Sequence, residues 1–381
     1  MTHKITTYDI LNSFAILFIL SNANLYLGAI PILQTIVSGL RALAVGYAFL
    51  IALPKLRFGK YTILVCAFYF IAGLLTIAHD GSMHAWAANA VNSIGLVLLV
   101  YLSMLRSPKY TIGTLAFILD LFIYANFIFT LIYPDGIGEE FYLLGVNRNS
   151  PGPVIICGMV VHYYAYKQGI RNKLTFLLLG AISIATPIII GSMTSAVGCS
   201  LMTLFFFISS KKIRKIALIS LFVFYLTFQA FLVFFQNDIS VNKYATFFVE
   251  EVMQKDLSFT NRTYVWSDSY KLIRQSPITG YGMQDSEWFE EQLMVKSAHN
   301  IIYQIMIYGG YILFTMFLIV IYASIKRTIK NYSNLTLYSL FGVCAFFFMM
   351  IMEAYSMSLI FLILCLTYYS PEFSTEQEET K

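Results

Sequence analysis

Charge is almost absent from this chain, and what there is comes in short clusters between long apolar runs. That pattern constrains the fold more than any other feature. Only 12% of the 381 residues are charged and 58% are hydrophobic, against roughly 25% and 45–50% in a soluble domain. Half the usual charge cannot cover a soluble surface of this size. The runs are rich in Leu, Ile, Phe and Tyr and lack the ten-residue alternation of an outer-membrane barrel. The pattern therefore predicts an all-α integral membrane protein, because a helix satisfies its own backbone groups in lipid.

Runs of about 20 residues predict about twelve transmembrane helices. Five fall in 1–133, four in 151–235 and three in 299–370. The first reads as a retained span and not a cleaved signal. The last stretch, Leu335–Tyr369, is too long for one span and breaks at Glu353-Ala354-Tyr355 into two. An outer loop occupies 134–150, a long extracytoplasmic loop 236–298, and a cytoplasmic tail 371–381. The tail is acidic and predicts disorder.

Every second connection is basic: Lys55, Arg57 and Lys60; Arg106 and Lys109; Lys167, Arg171 and Lys173; Lys211, Lys212, Arg214 and Lys215; Lys326, Arg327 and Lys330. Positive charge stays cytoplasmic, which puts both termini inside and the long loop outside. The net charge of +5 is thus a topology signal and not a nucleic-acid surface. The five cysteines all lie in apolar runs and offer neither a disulfide framework nor a Cys-x-x-Cys metal site. The motifs of a nucleotide, zinc or serine-hydrolase site are missing from the outer loops.

Within the long loop, Arg262–Arg274 reads as an amphipathic helix. Val265, Ser269, Leu272 and Ile273 share one face, with Trp266 and Tyr270 flanking it. Such a helix is expected to lie at the membrane surface. Then come Pro277, Gly280, Tyr281 and Gly282 in a turn, and His299-Asn300 where the next apolar run begins. His299 could take a proton from a hydroxyl or bind a phosphate. The pair could equally be a helix cap, with Ser297 or Asn300 capping and His299 incidental. Arg262 and Arg148 lie on the outer side, where arginine is disfavoured. They are candidates for a diphosphate, or ordinary solvated charges. Arg41 and Asp120 fall within spans, as functional groups or as a mutual ion pair. Gly309-Gly310 would allow close approach of a helix or a lipid.

Together these stretches resemble the O-antigen polymerase and O-antigen ligase superfamily. The resemblance rests on SAHNIIYQIMIYGGYILF (Ser297–Phe314), on Arg262 with Trp266 followed by Pro277-x-x-Gly280-x-Gly282, and on GVNRNSPG (Gly145–Gly152). It implies a glycosyltransferase acting on an undecaprenyl-diphosphate-linked oligosaccharide at the outer face of the bacterial cytoplasmic membrane, without metal or other cofactor. Arg262, Arg148 and His299 would be catalytic. Asn300, Tyr281, Trp266, Asn147 and Arg41 would bind substrate. Beyond lipid and the lipid-linked glycan, a chain-length regulator and a flippase are the implied partners, and nucleic acid is not. One departure is clear. The family's Ser-Arg-Ser/Thr element reads GSMTSAVG (Gly191–Gly198) here, so Arg148 or Arg41 would have to stand in for the arginine. The expected reaction is polymerisation. Ligation of a finished polymer, or transport of the lipid-linked glycan, are the alternatives.

Overall fold

The computed structural model describes residues 6–25, 30–138, 141–145, 147–234, 262–330 and 333–373. Glu139, Glu140, the loop segment 235–261 with Asn261, Asn331 and the tail beyond 373 lie outside them. Among the described residues there is no strand, only helices joined mostly by short connections.

Each apolar run of the sequence forms a helix. They are α1 (Thr7–Asn24), α2 (Pro31–Ala52), α3 (Lys60–Ala78), α4 (Met83–Met104), α5 (Pro108–Ile132), α6 (Pro151–Lys167), α7 (Lys173–Ile189), α8 (Met193–Phe207) and α9 (Lys211–Phe228). A π-turn, Gln229–Phe234, extends α9. Then come α10 (Arg262–Gln275), α11 (Ser286–Leu293), α12 (Ile301–Lys330), α13 (Asn334–Met349), α14 (Met357–Tyr368) and the short α15 (Ser370–Phe373). Five of these, α2 to α5 and α12, are long and apolar enough to cross a membrane, and five shorter ones are also apolar.

Local chemistry sets the ends. Ser82, Ser107, Asn172, Ser210 and Ser333 each cap the helix that follows through a side-chain oxygen, which satisfies donors the first turn leaves open. Proline opens α2, α5 and α6, where its missing N–H costs nothing.

The core centres on α6. Its residues from Pro151 to Ala165 are all buried, as expected of a helix that is apolar all round. It packs against α5, α7, α8, α13 and α14. Tyr163 stacks on Tyr338 of α13 with centroids 4.0 Å apart. Phe205 of α8 stacks on Phe341 at the same distance.

The connections gather at two ends of the bundle. At one, Arg106 pairs with Asp9 at 3.2 Å, Arg327 with Glu372, and Arg214 donates to the Ile208, Phe206 and Asn334 carbonyls. Asp120 belongs to this side. Its carboxylate takes His162 Nδ1 at 3.0 Å and Arg171 Nη2 at 3.1 Å. Arg41 hydrogen-bonds Asn92 of α4 at 3.3 Å, so the two mid-span charges are not each other's partners. An Arg can reach a neighbouring connection or amide more cheaply than two distant helices can bring opposite charges together.

At the other end, α12 is broken by Gly309 and Gly310, whose φ/ψ are non-helical. The backbone groups freed there bond the Pro277–Gly282 turn. Tyr281 N donates to the Ile307 carbonyl at 2.8 Å, and Tyr311 N to the Pro277 carbonyl at 2.8 Å. The close approach that the glycine pair allows is thus made by a loop. Met283 N in turn donates to Thr76 Oγ1 of α3 at 3.0 Å. The turn is therefore tied to two helices.

Candidate functional site

The polar residues at this second end converge on Glu353, in the connection between α13 and α14. His299 Nδ1 lies 2.8 Å from Glu353 Oε1. Arg262 Nη2 and Asn149 Nδ2 each lie 3.5 Å from Oε2. Asn149 Oδ1 accepts from Ser192 Oγ at 2.8 Å, and Ser195 Oγ is 2.9 Å beyond that. Four separate stretches of chain thus meet at one carboxylate. The Glu353 side chain is only 8% exposed, and that of His299 is 24% exposed.

Burial alone would push the Glu353 carboxyl up. The hydrogen bond and charge of His299, the charge of Arg262 and the Asn149 amide outweigh it, and the carboxyl is held below its ordinary value. A depressed carboxyl stabilises the folded state above the unfolded value and loses that contribution as pH falls through the folded one. The thermal midpoint in detergent should therefore fall as pH drops below the ordinary glutamate value of 4.5. Glu353→Gln should flatten that fall.

His299 is held by its backbone as well. Its φ is +48°, in the left-handed region that few non-glycine residues enter. Its amide donates to Ser297 Oγ at 3.3 Å, and its carbonyl accepts from Trp266 Nε1 at 3.4 Å. With Nδ1 turned to Glu353, Nε2 has no hydrogen-bond partner among the described residues.

Trp266 is fully buried and packs with Val265, Ile273, Phe289 and Ile307. The amphipathic helix is present as α10, with Val265, Trp266, Ser269 and Ile273 inward. Its apolar face packs against α12. Tyr264 and Tyr270 stay exposed. Trp266 reaches the site through the His299 carbonyl. Trp266→Phe replaces the buried indole by a smaller ring and removes the N–H, and should cost more than the roughly 1 kcal/mol of one hydrogen bond, read as a lowered thermal midpoint.

Asn300 is fully buried and caps α12. Its Oδ1 accepts from Ile302 N at 3.0 Å and Tyr303 N at 3.3 Å. Its Nδ2 donates to Gln229 Oε1 and to the Ile351 carbonyl, both at 3.1 Å. An amide with both donors and its oxygen so occupied has nothing left for a sugar. The capping alternative read from the sequence is the geometry seen at Asn300, and His299 beside it contacts Glu353.

Tyr281 turns its hydroxyl back onto the Leu272 carbonyl at 2.9 Å and Gln275 at 3.2 Å. Asn147 Oδ1 accepts from Asn149 N at 2.9 Å and Ser150 N at 3.0 Å, closing the turn that aims Asn149 at Glu353. Arg148 is exposed. Its Nη1 lies 4.0 Å from where a Cβ on Gly191 would stand, beside the GSMTSAVG turn that lacks an arginine. Arg41, hydrogen-bonded to Asn92, is not among the residues that meet at Glu353.

Sequence reasoning read Glu353 only as the break in the last apolar stretch. An acid between two apolar segments is itself a functional signal, and it could have been found on that ground. Asn149, Ser192 and Ser195 lie in the GVNRNSPG and GSMTSAVG stretches, but no role was read for them individually.

The fold is that of a helical membrane protein with several apolar helices, and the cluster at this end sets a histidine and an arginine on the buried Glu353 carboxylate. Residues 174–318 match the O-antigen ligase family. Over that segment the chain is similar to the O-antigen polymerase and ligase superfamily. The segment runs from α7 into α12 and holds Arg262 and His299, whereas Arg148 and Glu353 lie outside it. No curated protein matches the chain.

Proposed function

We propose that the protein is a membrane glycosyltransferase of the polymerase type. It would transfer undecaprenyl-diphosphate-linked repeat units onto an acceptor glycan at the outer face of the bacterial cytoplasmic membrane. The observation that carries this is His299: Nδ1 on a buried carboxylate, Nε2 open, and arginine on the same carboxylate. The family's action on lipid-linked glycans supports the substrate class. The basic connections lie at the end opposite this cluster, and the positive-inside bias then turns the cluster outward.

In this reading the acceptor hydroxyl gives its proton to His299 Nε2 as its oxygen attacks the anomeric carbon. The bond from that carbon to the diphosphate oxygen breaks, and the lipid diphosphate leaves with the electron pair. Arg262 and Arg148 offset the charge gathering on it. Undecaprenyl diphosphate is a good leaving group already, so positioning supplies much of the rest.

Ligation of a finished polymer to a lipid or protein acceptor uses the same chemistry, and the family description favours it as the second reading. Transport is less well supported, because Arg41 and Asp120 already have partners within the bundle. The test is the length distribution of surface and lipid-linked glycan in a deletion strain. Single units outside the membrane, with a ladder restored by the wild-type gene, would support polymerisation. Full-length polymer left on the carrier lipid would mean ligation. Single units on the cytoplasmic leaflet would end the enzyme reading.

A further inference from the structure

Glu353 holds His299 and Arg262 at unequal distances. The His299 contact, at 2.8 Å, has the length of a charge-assisted hydrogen bond. The Arg262 contact, at 3.5 Å, is well beyond it. Arg262 Nε is buried and makes no hydrogen bond, so its guanidinium fork is not fully used. Asn149 approaches Oε2 at 3.5 Å as well. Tyr355, two residues along, is near enough to feel the charges of both Glu353 and Arg262. Arg148 faces the neighbouring Gly191 turn. A bidentate arginine–phosphate pair is stronger than the long contact Arg262 now makes.

We propose that Glu353 is a placeholder for the diphosphate: it holds Arg262 until the lipid-linked donor arrives, yields it to the phosphate oxygens, and is then left paired with His299 alone. The inference rests on the glycosyltransferase reading above. Its consequence is an order of events. While Arg262 shares the carboxylate, the negative charge available to His299 is partly neutralised. Once the donor takes the arginine, the whole charge bears on Nδ1–H and favours the imidazolium that forms when Nε2 takes the acceptor proton. Donor binding thus switches on the base. Donor lipid is then spared attack until it is seated. Glu353 touches no reacting atom, so it is a positioning residue.

The experiment uses the full chain in nanodiscs. Undecaprenyl diphosphate is the binding probe, and lipid-linked glycan extracted from the deletion strain is the substrate. Glu353→Gln should bind the probe as tightly as wild type, or up to about tenfold tighter, since no carboxylate competes for Arg262. Its kcat should fall about 10²-fold. The acidic limb of its pH–rate profile should move to lower pH, because an amide no longer favours the imidazolium. A purely structural role would lower binding and kcat together and leave the limb in place. Glu353→Asp keeps the charge but draws it back from His299. It should bind the probe like wild type and turn over about tenfold more slowly, and it carries the test if the glutamine variant does not fold. Wild-type kcat in either folded variant, or probe binding lost in step with kcat at an unchanged thermal midpoint, would overturn the placeholder. A wild-type protein that neither binds the probe nor extends the glycan would instead remove the glycosyltransferase reading, and the placeholder with it.

Discussion

A His299→Asn protein should fold and insert, with a thermal midpoint lowered only by the lost imidazole–Glu353 hydrogen bond, yet lose glycan transfer by about 10²- to 10⁴-fold, the range a general base supplies. Two properties of one residue separate here. The backbone at 299 is left-handed, with φ +48°. Asparagine enters that region far more readily than most residues, so the turn into α12 survives. The imidazole does not, and with it goes the open Nε2. A His299→Val protein should lose both, because a β-branched side chain at positive φ is strained. Transfer measured on extracted lipid-linked glycan, alongside the thermal midpoints, checks the pair. Normal ladders from His299→Asn would remove the histidine from the chemistry.

The second large effect is expected far from any reacting atom. Gly310→Ala should destabilise the protein severely, by about 1–3 kcal/mol from backbone strain alone. Its φ of +56° and ψ of −154° suit glycine and little else. A Cβ there would also stand 2.3 Å from the Ile278 carbonyl carbon and 2.6 Å from the Pro277 oxygen. Those are backbone atoms and cannot rotate away. Across the same contact, a Cβ on Gly280 would lie 2.4 Å from the Ile307 oxygen. The turn would have to lift off α12, taking with it the hydrogen bonds of Tyr281 and Tyr311. The checks are yield in membranes and the thermal midpoint. Gly39, with nothing within 4 Å of its would-be Cβ, is the control and should tolerate alanine.

The sequence carried the helices well, because apolar runs bounded by Pro, Ser, Gly and Lys leave few ways to end a helix. The run beginning at Pro151 forms α6, and the interruption at Glu353 falls between α13 and α14. The local chemistry of the site was also legible: His299, Arg262 and the stretch around Arg148 were all singled out. What the sequence could not show was convergence. Glu353 and His299 are joined across 54 positions, and Asn149 reaches the same carboxylate across 204. No periodicity reports such a pairing. The full burial of Trp266 was hidden for a related reason. The helical period puts it at the edge of the apolar face, and only the docking of α11 and α12 around α10 closes that edge.

The α13–α14 hairpin bears on how the protein is made. In a chain emerging from the ribosome, Arg262 and His299 are made before Glu353. Throughout that interval the carboxylate that pairs them is missing, and α6 still lacks the two helices that finish covering it. Insertion of the α13–α14 hairpin therefore covers α6 and completes the cluster in one step. A translation product halted after α12 would present to the membrane's quality-control proteases both an unpaired polar cluster and a bare apolar groove. Assembly of the site and survival of the chain are thus decided by the same event.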